Sequence, residues 1–437
     1  MAAPSDKQLA TSRGWPAGID NLDKEQSLAR DETGKVVVAL RDAENVDLDR
    51  QGKPSRRAGY TRRVAASGAH SLWGDPDFPF GLYVDAGRLM GLREDGETFQ
   101  IRAGLGLQPV SYALAAGAAY WSSAGQNGKV TADGSPAPWG ITSPPGPPSV
   151  VLASNGGLYA GRYQVTATFL SATGEESGAP ESVWMEVPAN GGVQLQDIPQ
   201  PPDSTWRVRI YASPADGDAL YAAMTLPAGV MSALLGVHRP GKPLATQFLD
   251  AMPPGHIVRW LNGRLYVAVD NTMMWTEALR YGLTHVANNR LAFQQRLSMM
   301  EPLGEGDELA GMFVASGSKT YWLPGTDPAQ FRAKIARAHG VVPGTSIRVS
   351  GDVFNLETTA PVVYWLDDSG VGCVGLPGGT VLPLKKDQVL GPSADSGASL
   401  FRDTGEVRQI ITSLRGARER GLAMGDKAEC VVYRHDP

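Results

Sequence analysis

Hydrophobic and polar positions alternate along most of this chain in short runs, and the runs end at clusters of Asp, Gly, Asn and Ser. Two such runs on either side of a tight turn predict a β-hairpin. The pattern therefore predicts a chain built mainly of hairpins. Seven segments show it: 35–50 with a turn at 51–54, 80–102, 118–132, 262–278, 311–325, 362–376 and 399–414.

Three of the hairpin segments read alike: GRLMGLREDGETFQI, GRLYVAVDNTMMWTE and GMFVASGSKTYWLPG. Degenerate repeats of about 40–50 residues, with about four strands each, are typical of the blades of a β-propeller, which closes its small sheets into a ring. We therefore predict an all-β fold whose main part is a β-propeller of six or seven blades.

Two proline-rich segments, 143–148 (SPPGPP) and 252–255 (MPPG), predict domain boundaries, because neither fits inside a helix or a central strand. Between them the pattern changes to longer alternating strands such as 163–169. This texture predicts an inserted β-sandwich of about 100 residues, similar to an immunoglobulin or fibronectin-III domain. The predicted domains are residues 1–142 and 253–437 for the propeller and residues 143–252 for the inserted sandwich.

Composition limits the helical content and the possible partners. The chain has 52 glycines and 32 prolines among 437 residues, and each costs about 1–3 kcal/mol within a helix. Short helices are predicted only at 273–300 and 326–338. The formal net charge is −5, so no overall basic field would draw the protein to nucleic acid.

The two cysteines, Cys373 and Cys430, lie far apart in the sequence and in no CxxC or Cys/His cluster. We therefore predict buried free thiols rather than a disulfide or a zinc site. The N-terminal residues lack the charged and then apolar order of an export signal, and no run of about 18 apolar residues occurs. We expect synthesis in a cytoplasm-like compartment and no membrane insertion.

Sequence motifs of the common enzyme classes are missing: GxxxxGK[ST], GxSxG, HExxH and a GxGxxG after a strand. The histidines are scattered singly, and a lone histidine is more often structural than catalytic. Residues 47–52 open like a calcium-binding EF-hand loop, but Ala58 stands where that loop needs a bidentate glutamate, so a hairpin turn is the better interpretation. We predict a non-enzymatic protein with no catalytic residue, no metal site and no cofactor.

Two pairs of adjacent carboxylates, Glu175/Glu176 and Asp367/Asp368, keep an enzymatic alternative open. In the channel of a propeller such a pair could perform the acid–base chemistry of a glycosidase. Both pairs lie in predicted turns beside Ser or Gly, where acidic residues more often bond the loop backbone or face solvent. We favour the turn and keep catalysis as the rival.

Basic residues are concentrated between positions 50 and 63, in RQGKPSRRAGYTRR. Guanidinium groups in such a cluster can bind phosphates or the carboxylates of a neighbouring subunit. A solvated strand edge that carries positive charge against aggregation is an equal alternative. The residues that we predict to contact a partner or DNA are Arg56, Arg57, Arg62 and Arg63.

The segment 18–64 resembles the N-terminal part of phage tail nozzle proteins, also called packaged-DNA stabilisation proteins. In that family the phrase G-I/V-N/D-N precedes L-R-D-A-x-N-V-D-L/I-D, a glycine, an arginine pair and Gly-Tyr. Asn45 and Asp47 are expected to bond the bend and Gly52 to make it tight. Ala58 departs from the family, which commonly has proline there. The matching residues are Gly18, Ile19, Asp20, Asn21, Leu40, Arg41, Asp42, Ala43, Asn45, Val46, Asp47, Leu48, Asp49, Gly52, Arg56, Arg57, Gly59 and Tyr60.

The resemblance implies a virion protein of the phage tail, made in the cytoplasm of the bacterial host. Proteins of this family form a six-fold ring that closes the tail tube below the portal and adaptor and retains the packaged DNA. The implied partners are the portal and adaptor, tail fibres or a tail plug, neighbouring copies, and the double-stranded DNA in the channel. The rival is a carbohydrate-active or carbohydrate-binding propeller of a phage tail.

Overall fold

The chain forms two compact units in the computed structural model. The central unit is Ala66–Phe293, and the terminal unit combines Met1–Ala65 with Gln294–Pro437. The predicted hairpin at 35–50 and its turn lie largely outside the described residues. The structure describes residues 19–22, 39–40, 46–48, 53–56, 61–304, 309–384, 389–403, 408–416 and 429–434.

Antiparallel strands dominate both units, which confirms the predicted all-β class. Within the described ranges the helices are two short 3-10 turns, η1 (Pro328–Gln330) and η2 (Gly351–Phe354). None of the described helices is long and apolar enough to cross a membrane. The first two strands, β1 (Val46–Leu48) and β2 (Pro54–Arg56), form an antiparallel pair in the terminal unit.

The central unit begins with two four-stranded meanders, in which strands adjacent in sequence pair with each other. Sheet A contains β3 (His70–Trp73), β4 (Gly81–Asp85), β5 (Arg88–Leu92) and β6 (Thr98–Arg102). Sheet B contains β7 (Ser111–Ala115), β8 (Ala118–Ser122), β9 (Asn127–Thr131) and β10 (Pro136–Ala137).

Two sheets of a different topology follow and pack on one shared hydrophobic core. Tyr163, Val165, Ala167 and Phe169 of β12 point into this core, which confirms the alternating strand predicted at 163–169. In one sheet β14 lies between β11 and β17, and the order in the other is β13-β12-β15-β16. Their bounds are β11 (Ser149–Leu158), β12 (Gly161–Leu170), β13 (Val183–Val187), β14 (Gly191–Gln196), β15 (Arg207–Ala212), β16 (Tyr221–Pro227) and β17 (Ala233–Leu235).

The central unit ends with another four-stranded antiparallel sheet. Sheet C has the order β19-β20-β21-β23, and β18 pairs separately with β22. These strands are β18 (Asp250–Ala251), β19 (Ile257–Leu261), β20 (Arg264–Val269), β21 (Thr272–Trp275), β22 (Leu283–Thr284) and β23 (Arg290–Ala292).

The terminal unit continues the meander pattern. Sheet D contains β24 (Leu297–Leu303), β25 (Gly311–Ser316), β26 (Lys319–Pro324) and β27 (Lys334–Arg337). Sheet E contains β28 (Ile347–Ser350), β29 (Pro361–Leu366), β30 (Gly372–Gly375) and β31 (Val381–Pro383). Sheet F contains β32 (Ser396–Asp403), β33 (Arg408–Arg415) and β34 (Glu429–Arg434).

Successive sheets stack face to face within each unit. Tyr112 and Trp121 of sheet B pack in a core shared with sheet A, whereas Ala113 and Tyr120 pack in a core shared with sheet C. Sheet E likewise shares one core with sheet D and another with sheet F. Successive side chains of a strand point to opposite faces of its sheet. A sheet with another sheet packed on each face therefore needs apolar residues at successive positions. The stacked meanders give the fold its propeller-like character.

The hairpin segment predicted at 80–102 is confirmed, with turns at Ala86-Gly87 and Asp95-Gly96. Ala86 and Gly87 both have positive φ, 48° and 73°, and Asn262 and Gly263 repeat this geometry at 45° and 72°. Two successive positive φ values are those of a type I′ turn, whose twist matches the twist of the flanking strands. The residues at the two turn positions therefore determine the turn type.

The two predicted helices do not form. The segment 273–300 contains strands instead, because Met273 and Met274 pair with β20 and are buried. In 326–338 Asp327 caps a single 3-10 turn by accepting from the N–H of Ala329 at 3.1 Å, and β27 follows. A short apolar run suits a buried helix or a buried strand equally well. Here the hydrogen bonds to neighbouring strands favour the strand.

Gly178 provides a test of the packing in the central unit. A Cβ atom there would lie 1.6 Å from the carbonyl oxygen of Leu249, next to the backbone hydrogen bonds that join Ala179 to Thr246 and Phe248. We expect Gly178→Ala to lower the free energy of unfolding by about 1–3 kcal/mol through overpacking. Urea unfolding would measure it, with Gly125→Ala as a control at which the added Cβ meets nothing within 4 Å. Equal stability of the two variants would contradict the expected clash.

Candidate functional site

The predicted arginine cluster lies on the surface of the terminal unit. Arg56 ends β2 and is exposed, as are Arg62 and Arg63 in the following segment. The Nε of Arg62 donates to the carbonyl oxygen of Val64 at 3.1 Å. Arg57 lies outside the described residues. Both interpretations of the cluster, contact with a partner or DNA and a solvated strand edge, require exposed guanidinium groups, so this exposure agrees with either one.

Asn21, in the first part of the family-like motif, holds the N-terminal segment to a distant part of the chain. Its side-chain Nδ2 donates to the carbonyl oxygen of Leu390 at 2.8 Å, and its Oδ1 accepts from the N–H of Leu390 at 3.0 Å. An amide group has both a donor and an acceptor, so this side chain pairs with Leu390 as a strand residue would. Asp20 supports the turn by accepting from the N–H of Leu22 at 3.1 Å.

Asp47, in the second part of the motif, makes a similar long-range contact. Its carboxylate lies 3.3 Å from the Nη1 of Arg402 in β32 and accepts from the Nε2 of Gln409 in β33, also at 3.3 Å. The hydroxyl of Ser55, its register partner on β2, donates to the carbonyl oxygen of Asp47 at 3.2 Å. The bend itself, at 49–52, lies outside the described residues, so the expected bond of Asp47 to the bend stays a prediction. Asn45 and Gly52 lie outside the described residues.

Together, Asn21 and Asp47 form what we call the N-terminal clasp, with Leu390, Arg402 and Gln409 as its partners. The clasp joins residues more than 350 positions apart. Sequence reasoning missed these partners, because nothing in the sequence specifies which distant strand a polar side chain will face. The available signal was a carboxylate inside the short apolar strand Val46–Leu48.

The two candidate catalytic pairs are held in different environments. Asp367 is 0% exposed, and its Oδ2 accepts from the Nε and Nη2 of Arg337 at 2.8 and 2.5 Å. Its Oδ1 accepts from the N–H groups of Ser369 and Val371, both at 2.9 Å. Its neighbour Asp368 is about half exposed, so one member of this pair is a buried structural anion and the other is a surface residue.

Glu175 and Glu176 point to different sheets. Glu175 forms an ion pair of 2.8 Å with Lys129 on sheet B. Glu176 accepts from the hydroxyl of Tyr211 at 2.7 Å and contacts Arg209 at 3.1 Å. Burial, and next the hydrogen bond to Glu176, raise the pKa of Tyr211 to about 12, so its phenol stays protonated and donates at neutral pH. These contacts favour the turn interpretation over acid–base chemistry.

Cys373 is a buried free thiol, as predicted. Burial, followed by the charge of Asp367, raises the pKa of this thiol, which opposes formation of the reactive thiolate. The side chain of Cys430 lies outside the described residues. Within the described ranges, no three His, Cys, Asp or Glu side chains are grouped as a metal ion would require.

No protein-family model and no curated protein sequence matches this chain. Among solved structures it is similar to the N-terminal part of BBS1, crystallised in complex with ARL6, at 9% identity and a TM-score of 0.31, covering 82% of this chain and 93% of that one. It is also similar to the extracellular domain of a one-component system from B. thetaiotaomicron, at 10% identity and a TM-score of 0.24, covering 86% and 62%.

A third similar structure is PorZ, a surface component of the type-IX secretion system of Porphyromonas gingivalis. The identity is 10%, the TM-score is 0.21, and the match covers 84% of this chain and 59% of that one. TM-scores this low carry no conclusion about the function of this chain.

Proposed function

We propose that this chain is a non-enzymatic structural protein of a phage tail, a nozzle that closes the tail tube below the portal and adaptor and retains the packaged DNA. The observation that carries the proposal is the N-terminal clasp. Asn21 and Asp47 belong to the residues through which segment 18–64 resembles nozzle proteins. Asn21 bonds the backbone of the distant Leu390, and Asp47 bonds side chains of the distant strands β32 and β33. The motif thus has a structural purpose in this chain.

In this proposal, sheets A to F are the six blades of one β-propeller. Five of them are four-stranded meanders among the described residues, which is the usual blade architecture. The two sheets of strands β11 to β17, with their common core, are the inserted module of immunoglobulin or fibronectin-III type.

The proposed partners are the portal and adaptor, neighbouring copies, a fibre or plug, and DNA in the channel. Arg56, Arg62 and Arg63 provide exposed cations on the same segment as the clasp. A clasped segment presents its arginines in a fixed place, and guanidinium groups bind carboxylates or phosphates in defined geometries.

Replacement of Arg56, Arg57, Arg62 and Arg63 by Ser tests the proposed contact. We expect the variant to stay folded, because the described members are exposed, and to enter particles at least about tenfold less well, since about 1.4 kcal/mol of lost binding already gives this factor. Quantitative immunoblots of purified particles would measure the incorporation.

A matched control replaces four exposed arginines outside the cluster, namely Arg207, Arg239, Arg332 and Arg348, with Ser. This control changes the net charge equally and should leave incorporation unchanged. If both variants entered particles like the wild type, the solvated-edge interpretation would hold. If both failed equally, net charge rather than the cluster would be responsible.

A further inference from the structure

A cleft of about 370 Å³ lies within the central unit, beside the turn that carries Glu175 and Glu176. Its walls also include Tyr120 of sheet B and the segment around Thr246. Ligand sites in proteins usually have volumes of about 300–1,000 Å³. We infer that this cleft binds an acidic saccharide, a sugar that carries a carboxylate. The inference goes beyond the proposed tail function and does not depend on it.

The charges of the cleft favour an anionic ligand. Its two carboxylates are already neutralised in the wall, Glu175 by Lys129 at 2.8 Å and Glu176 by Arg209 at 3.1 Å. Lys242 and Arg280 line the same cleft and are exposed. Neither has a carboxylate partner within 4 Å in the described part of the chain. The rim therefore carries two cations that no carboxylate of the described residues neutralises.

Arg280 is held in place for such a contact. Its Nη1 donates to the carbonyl oxygen of Ala245 at 2.6 Å, which leaves the other guanidinium N–H groups available. The preceding residue, Leu279, has a φ of 57° and is 76% exposed. A bulky residue in the left-handed region is uncommon, and such strain is concentrated at binding sites. The turn thus places Arg280 at the rim at a conformational cost.

Thr246 provides an independent indication of a ligand. It is 8% exposed, lines the cleft, and its hydroxyl has no hydrogen-bond partner among the described residues. Most buried polar side chains in native proteins are hydrogen-bonded. A bound ligand that donates or accepts at this wall of the cleft would give the hydroxyl a partner.

The mixture of donors and acceptors favours a sugar over a simple anion. Phosphate has oxygens that accept from Lys242 and Arg280 but would also face the oxygens of Glu175. A sugar hydroxyl donates and accepts at once, so it can bond carboxylates and cations together. Tyr281, partly exposed and 6.0 Å from the ring of Tyr120, adds an apolar ring surface of the kind that packs against ligand carbon atoms.

We assign binding and not cleavage to the cleft. Glycosidases need two carboxyl groups free to act on opposite sides of the bond that breaks. Here Glu176 is held by Thr168, Tyr211 and Arg209, and Glu175 by Lys129. Lys242 and Arg280 would bind the carboxylate of the acidic sugar, and the sugar would dissociate without being cleaved.

The test uses the full chain and saturation-transfer NMR with glucuronate and galacturonate, followed by calorimetric titration. We expect saturable binding of at least one acidic sugar, and at least about tenfold weaker binding to the Lys242→Ala/Arg280→Ala variant, because a hydrogen bond to a charged group contributes about 1.5–3 kcal/mol. The control Lys334→Ala/Arg348→Ala removes the same charges from the terminal unit and should bind like the wild type.

Three results would overturn the inference: no binding of either sugar at millimolar concentration, unchanged affinity in Lys242→Ala/Arg280→Ala, or equal binding of neutral glucose. Inorganic phosphate serves as a competitor. If phosphate bound and the acidic sugars did not, the cleft would be a simple anion site. Since no phage particle is involved, failure here would leave the proposed tail function untouched.

Discussion

Particles assembled without this protein are expected to fill with DNA and then to lose most of it. On the proposed role, the protein closes the tail tube after packaging, so its absence should affect retention and leave filling intact. The measurement is the nuclease-protected genome per particle, taken soon after packaging and again after storage, with and without the protein.

The physical reason for a large effect is symmetry. Weak contacts between single copies become strong when several copies dock on a preassembled ring, because the ring raises their effective concentration. The isolated chain should accordingly be largely monomeric in solution, and the tube should close only on the particle. Full retention of the genome in particles that lack the protein would remove the retention role and favour fibre attachment or the glycan-directed rival.

Replacement of Asp367 by Ala is expected to lower the free energy of unfolding by about 3–5 kcal/mol. Removal of one partner from a buried ion pair leaves the other charge uncompensated, and this is the usual magnitude of the loss. Arg337 would be that partner, with its side chain only 18% exposed. The N–H groups of Ser369 and Val371 would also lose their acceptor.

The neighbouring carboxylate provides the matched control. Asp368 pairs with His339 at 3.1 Å, and both side chains are close to half exposed. Exposed ion pairs contribute about 0–1 kcal/mol, and Asp368 also accepts from the N–H of Gly340 at 2.9 Å, a bond of about 0.5–1.5 kcal/mol. Asp368→Ala should therefore cost about 1–2 kcal/mol, less than Asp367→Ala. Urea unfolding followed by total tryptophan fluorescence, to which the buried Trp365 of the same core contributes, would compare the two. Similar losses for both variants would contradict the buried-anion assignment.

The two candidate carboxylate pairs show how far sequence reasoning could reach. The turn at Asp367 was predictable, since Asp before Ser and Gly is typical of a turn whose backbone it bonds. Its complete burial against Arg337 was not, because the two residues are 30 positions apart and meet only when sheets D and E stack. The same holds for Glu175, whose partner Lys129 lies on a different sheet.

The prediction of helices was wrong where contacts with neighbouring strands, and not the local sequence, determined the secondary structure. The run Met273-Met274-Trp275 is apolar throughout and suits either a buried helix or a buried strand. Strand β20 supplies the hydrogen bonds, and Met274 packs in the core that sheet C shares with sheet B, so the strand forms. In the helix predicted at 326–338, Asp327 caps only the single 3-10 turn η1, and strand β27 follows it.

The sequence by itself determined the all-β class, the hairpins and their turns. These depend on local physics: alternation with period two, and residues such as Asn262-Gly263 that accept positive φ. The tertiary structure alone decided which carboxylates are buried, which distant residues Asn21 and Asp47 contact, and how Tyr120, Lys242 and Thr246 come to line one cleft. Such contacts join residues far apart in the chain, and the stacking of sheets, which no local pattern specifies, brings them together.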